Sequence, residues 1–116
     1  AVAFNQADVD RMLAGDTNMN NADLSGLDGG PLGLCRQQYI SVDFSWADFS
    51  GSRMWSSVFN KSSMEEAKLD NGSFQNAHFN GVNFKGASLV KADLEVDRLP
   101  FRVCKSANPG KELVIG

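Results

Sequence analysis

Histidine and tyrosine occur once each in this 116-residue sequence, cysteine and tryptophan twice, and proline three times. Two cysteines, Cys35 and Cys104, are too few for a disulfide framework and lack the clustered spacing of a zinc site. The lone histidine, His78, has no serine, cysteine or carboxylate placed by spacing to work with it, so an enzyme is not supported and no catalytic residue, metal ligand or cofactor is expected. No apolar run approaches the ~20 residues of a membrane-spanning helix, which excludes membrane insertion by that route. Eleven basic and fourteen acidic residues give a net charge of −3 without a polybasic patch, so nucleic acid and anionic membrane are poor partners. The length and the 42% hydrophobic content suit one domain.

What the chain has in excess is phenylalanine, eight residues of it, alongside eleven glycines and many Asn, Asp and Ser. Neither a 3.6-residue nor a 2-residue hydrophobic pattern accounts for their placement, but a five-residue one does. Divided into fives from Thr17, the sequence reads TNMNN ADLSG LDGGP LGLCR QQYIS VDFSW ADFSG SRMWS SVFNK SSMEE AKLDN GSFQN AHFNG VNFKG ASLVK ADLEV DRLPF. Sixteen of the 17 third positions are large and apolar, and they hold six of the eight Phe; 13 of the 17 first positions are small or β-branched. A large residue with a small one two places before it fills a narrow interior, while the remaining positions face water. Gly and Asn at fifth positions, as at Gly26, Gly51, Asn71, Asn76, Gly81 and Gly86, suit corners that need permissive backbone angles.

On these residues the sequence resembles the pentapeptide-repeat family, whose unit is A(D/N)LXX; ADLSG, ADFSG, AHFNG, VNFKG and ADLEV match it closely. The resemblance implies an all-β solenoid, a right-handed quadrilateral β-helix with 20 residues per coil and about four coils. Stacking would then put Leu24, Phe44, Met64 and Phe84 in one interior column and Met19, Tyr39, Phe59, Phe79 and Leu99 in another. The expected organisation is a cap at 1–16, repeats at 17–99 and a C-terminal cap or tail at 100–116.

A solenoid has two ends to cover. At the first, Asn5 reads as a helix N-cap with Asp8 at N3, Phe4 and Val9 as a hydrophobic staple, and Gly15 as the residue after the helix, predicting a capping helix at about 6–14. At the other, Pro100 breaks the pattern, and the apolar residues around the NPG turn predict a tail folded over the last coil or against a wall. Residues 27–41 keep the phase but fit the unit poorly: Gly29 leaves a centre empty, while Leu27 and Leu32 stand where small residues belong. Either this is a distorted coil in which those leucines fill the gap, the preferred reading, or a loop whose length is a multiple of five.

The residues singled out for function are outward-facing apolar ones. Trp46 and Trp55, with Ile40 and Val58, make a candidate patch for an unidentified protein partner, because exposed aromatic groups are enriched in interface cores; Val90 and Val96 are also expected outward. Cys35 is expected in a wall column with Trp55, Gln75 and Glu95. Cys104 lies five residues past the last repeat, a reach of about 17 Å, and the return over three coils is about 15 Å, so a disulfide or redox pair is feasible but tight.

The expected role is a non-enzymatic rigid scaffold for protein–protein interaction, as a monomer or weak dimer. One alternative, implied by the family, is a DNA mimic that inhibits a type II topoisomerase such as DNA gyrase; another is a thiol redox-responsive lumenal protein. Within residues 17–99 ten acidic groups face seven basic ones, against roughly twelve charges along a comparable length of DNA, which disfavours the mimic. Small family members with an N-terminal capping helix are similar to those of cyanobacterial compartments and the thylakoid lumen, and AVA has the look of a signal-cleavage region. A thylakoid-lumen or periplasmic setting is therefore expected, with a cytoplasmic one as the alternative.

Overall fold

The computed structural model describes residues 3–96 throughout and the backbone of 104–105 and 112–113. It opens with α1 (Gln6–Leu13). Asn5 caps it as the sequence predicts, its side chain accepting from the Asp8 N–H at 3.0 Å. The helix closes with Gly15 at φ 97°, the Gly15 N–H reaching the Met12 carbonyl and the Asp16 N–H that of Arg11. Val9 and Met12 are buried against the first coil, and Phe4 and Leu13 pack beside them. The Asp8 carboxylate also accepts from the Asp23 N–H at 2.9 Å, which binds the helix to the coil it covers.

From residue 17 the chain winds as a solenoid. Parallel bridges join residues 20 apart in four columns, through 18, 38, 58 and 78; 23, 43, 63 and 83; 28, 48, 68 and 88; and 33, 53, 73 and 93. We call the corresponding walls first to fourth. From Met19 to Phe74 each third-position N–H donates to the second-position carbonyl one coil on, as from Tyr39 to Val58 at 2.7 Å and from Phe59 to His78 at 2.8 Å. From Gln38 to Asp93 each second-position N–H donates back, as from Val58 to Gln37 at 3.0 Å. Where long strands are expected of an all-β solenoid, the described coils instead touch through isolated bridges. A corner every five residues leaves too little straight chain for more. The named strands are β1 (Cys104–Lys105) and β2 (Glu112–Leu113), an antiparallel pair.

Most corners are turns in which a first-position N–H reaches the preceding third-position carbonyl, as from Ala47 to Phe44 at 3.0 Å. The fifth position takes a positive φ from Asn21 to Lys91, with Pro31 the exception. Proline cannot adopt that angle, and here the left-handed residue is Gly30, at φ 60°. Residues 27–41 are thus a distorted coil and not a loop, since Asp28 bridges Asp48, Gly33 bridges Arg53 and Gln38 bridges Val58 in register. Gly29 leaves no void: a Cβ there would lie 2.7 Å from the Phe49 ring and 3.2 Å from Leu32.

Inside, Tyr39, Phe59 and Phe79 stack face to face at 5.2 and 5.3 Å, and Phe44, Phe49 and Phe74 meet neighbouring rings edge-on. Leu99, expected below Phe79, lies outside the described residues. First-position serines tie the coils together. Ser57 Oγ accepts from the Gln37 N–H and donates to the Leu34 carbonyl, both at 3.1 Å, and Ser52 does the same between Leu32 and Gly30.

Two measurements check this packing. Gly29→Ala should lower stability by about 1–3 kcal/mol in urea unfolding, because the added methyl overpacks Phe49; a stabilised variant would mean that the centre is empty after all. Tyr39 is fully buried and its hydroxyl finds no partner among the described residues. Burial pushes its phenol well above the ordinary value. The folded state therefore keeps a proton that the unfolded chain loses above pH about 10, and stability falls as pH rises past that point. Phenolate absorbance of this single tyrosine should appear only with unfolding, and Tyr39→Phe should remove this alkaline loss without cost at neutral pH.

Candidate functional site

Sequence reasoning grouped four outward residues as one patch, and the walls separate them. Ile40 and Val58 belong to the first wall and are half-buried, Trp46 stands at the corner between the second and third walls, and Trp55 belongs to the fourth. Trp46 is 59% exposed, whereas Trp55 is 1% exposed. The repeat assigned Trp55 an outward direction, but direction does not guarantee solvent. Part of its shielding is Arg36, whose guanidinium carbon lies 5.6 Å from the indole centroid. Val90 and Val96 are exposed as expected, and so is His78.

The Trp46 corner borders an open cavity of about 410 Å³. Its lining comes from two neighbouring columns: Gly26, Trp46 and Glu66 at the corner, and Asp28, Asp48 and Lys68 beyond it, with Leu27 at the floor between them. Three carboxylates thus face one ammonium group around an exposed indole. Asp48 is held below the ordinary carboxylate value by hydrogen bonds from the Ser50 hydroxyl at 2.7 Å and the Ser50 N–H at 3.0 Å, with Lys68 contributing. The Ser50 contacts fix its carboxylate in place and charged. The site has the means to hold a cation against an aromatic face, and no residue in it is arranged as a nucleophile and base.

The Asp at the second position of a unit has a local task that the sequence reading did not assign. Asp23, Asp43, Asp48 and Asp93 each accept from the N–H two residues on, at 2.9 to 3.1 Å. Those carboxylates are therefore part of the wall's hydrogen bonding before they are part of any surface. Their recurrence two residues before another polar position was the signal available.

Cys35 is buried at 1% exposure and is disulfide-bonded. The side chain of Cys104, the second member of the expected pair, lies outside the described residues. Gln75 shares the Cys35 wall and is also buried, its amide donating to Asp93 at 2.9 Å and its oxygen accepting from Ser73. Among the described residues no cluster of three or more His, Cys, Asp or Glu side chains is placed to hold a metal ion, and no helix is long and apolar enough to cross a membrane.

The family profile of pentapeptide repeats, in eight copies, matches residues 40–76 and 62–95. No curated protein sequence matches the chain. Among solved structures the chain is similar to three cyanobacterial pentapeptide-repeat proteins. One is HetL of Nostoc sp. strain PCC 7120, involved in heterocyst differentiation regulation, at 19% identity and TM-score 0.46, covering 66% of this chain and 46% of that one. The chain therefore spans about half the length of HetL. The second is alr5209 of Nostoc PCC 7120, at 16% identity and TM-score 0.49 over 86% of this chain and 91% of the other. The third is Rfr23 of Cyanothece 51142, at 12% identity and TM-score 0.40 over 80% and 95%.

Proposed function

Because the chain belongs to the pentapeptide-repeat family, we propose that it is a non-enzymatic scaffold, a right-handed quadrilateral β-helix that presents the Trp46 corner to a protein partner. The observation that carries this reading is Trp46 itself. Among the described Phe, Tyr and Trp side chains it alone stands exposed, beside a cavity that a side chain can enter. An exposed indole contributes large apolar contact at low entropic cost and is a favoured interface anchor. The surrounding carboxylates suit a partner segment that offers a lysine or arginine, which the indole face and Asp48 would receive together.

The modest excess of ten acidic over seven basic groups in the repeats favours this reading over mimicry of DNA, whose charge along the same length is about fourfold greater. A monomer or weak dimer suffices for such a module. The disulfide at Cys35 supports an oxidising compartment, such as the thylakoid lumen or the bacterial periplasm.

Affinity capture from a native extract, followed by titration of the captured partner, tests the proposal. Trp46→Ala should weaken binding by about 2 kcal/mol or more with unchanged melting, and Lys68→Glu should strengthen it. Retained affinity in Trp46→Ala would remove the corner as the site. Inhibition of gyrase supercoiling at low micromolar protein would favour the mimic instead.

A further inference from the structure

The second-position aspartates are not equivalent. Asp23, Asp43, Asp48 and Asp93 each accept from the N–H two residues on, and Asp28 does not. The donor that would serve it, the Gly30 N–H, turns instead to the Asp48 carbonyl at 3.2 Å. The cause is local. Proline cannot take the left-handed angle of the corner at position 31, so Gly30 takes it at φ 60°, and its N–H is committed to the next coil. Asp28 is exposed, and among the described residues no group bonds its carboxylate.

The other two carboxylates of the Trp46 cavity are partly committed. Asp48 receives both Ser50 contacts on one oxygen, Oδ1, and Lys68 stands one coil on in the same column. The Glu66 carboxylate lies against Gly86, in the space that a Cβ at that position would need. It therefore leans along the corner column away from Trp46. This leaves Asp28 as the carboxylate of the cavity that neither the wall nor the corner column holds, beside an indole that is 59% exposed.

Building on the partner role given to this corner, we propose that the Trp46 cavity is an arginine pocket: the guanidinium of an arginine within a partner polypeptide lies flat on the indole and forks onto the two oxygens of Asp28. A planar group with paired donors suits a stacked, two-oxygen site, whereas an ammonium is a more strongly hydrated point charge without that fork. Asp28 is then the specificity-determining residue and Trp46 the platform. Asp48, with one oxygen already bonded, adds charge beside them. Free arginine is a poorer guest, because its α-carboxylate would enter among Asp28, Asp48 and Glu66 with the Lys68 ammonium alone to receive it.

The test uses a blocked tripeptide, acetyl-Gly-Arg-Gly-amide, with its lysine and citrulline counterparts, titrated into the full chain while the Trp46 indole N–H resonance is followed. The arginine peptide should move that resonance, and the lysine peptide should bind roughly fivefold more weakly. The neutral citrulline peptide and free arginine should leave it in place. Asp28→Asn should weaken the arginine peptide roughly tenfold and bring it level with lysine. Melting should not change, since no wall bond uses that carboxylate. Equal affinity for the arginine and lysine peptides, free arginine bound as well as the peptide, or an arginine affinity untouched by Asp28→Asn would each overturn the pocket. Capture of a protein partner scores the broader reading separately: if Trp46→Ala weakens the captured partner while the arginine peptide does not bind, the corner stands as an interface and the arginine assignment fails.

Discussion

A left-handed residue at each corner is the constraint on which the solenoid depends. It turns the chain every five residues, and so it sets which side chains point inward and which carbonyls meet the next coil. Ten of these residues are not glycine, and each such angle costs about 1–2 kcal/mol for an ordinary L-residue. No single coil offsets that cost by itself. The compensation comes between coils, from the paired N–H and carbonyl groups, the serines that bridge them, and the ring stack of Tyr39, Phe59 and Phe79. Neighbour-dependent stability of this kind is the general property of repeat proteins, and it makes the ends as important as the middle. Helix α1 meets that need at the first coil, where Val9 and Met12 replace the interior neighbours that a preceding coil would have supplied.

The interior was legible because it obeys a period. Third-position residues and small first-position ones recur at spacings that read directly as inside, and Asn5 and Gly15 marked both ends of α1 by side-chain and backbone chemistry that is local in sequence. Even the poor unit at 27–31 kept its phase, and its rescue by Gly30, Leu27 and Leu32 follows from what proline forbids and what Phe49 fills. The surface was less legible. A period gives the direction of a side chain but not what lies over it, and so Trp55 was read as exposed when it is among the most buried residues in the chain. The Trp46 cavity was missed for a related reason: its lining joins two columns that are 20 residues apart in sequence at each step, and the repeat itself does not distinguish Trp46 from any other corner.

Departures from the repeat are therefore where function is to be sought. Two of every five positions are committed to the interior, and the second-position Asp23, Asp43, Asp48 and Asp93 are committed to the wall. What remains free to vary is the corner and the outward fourth position, and there the chain spends its two tryptophans and Cys35. Trp46 is the sharper case. At φ 63° a tryptophan is disfavoured where glycine or asparagine would be at ease, and its ring is mostly in water, so the fold recovers little from it. Nine other non-glycine corners share that angle, so what sets Trp46 apart is its large ring left in water and not its backbone. Trp55 is the opposite case, an outward indole at 1% exposure with the Arg36 guanidinium over its ring. One corner is thus left open to solvent, and the outward row of one wall is shut off from it.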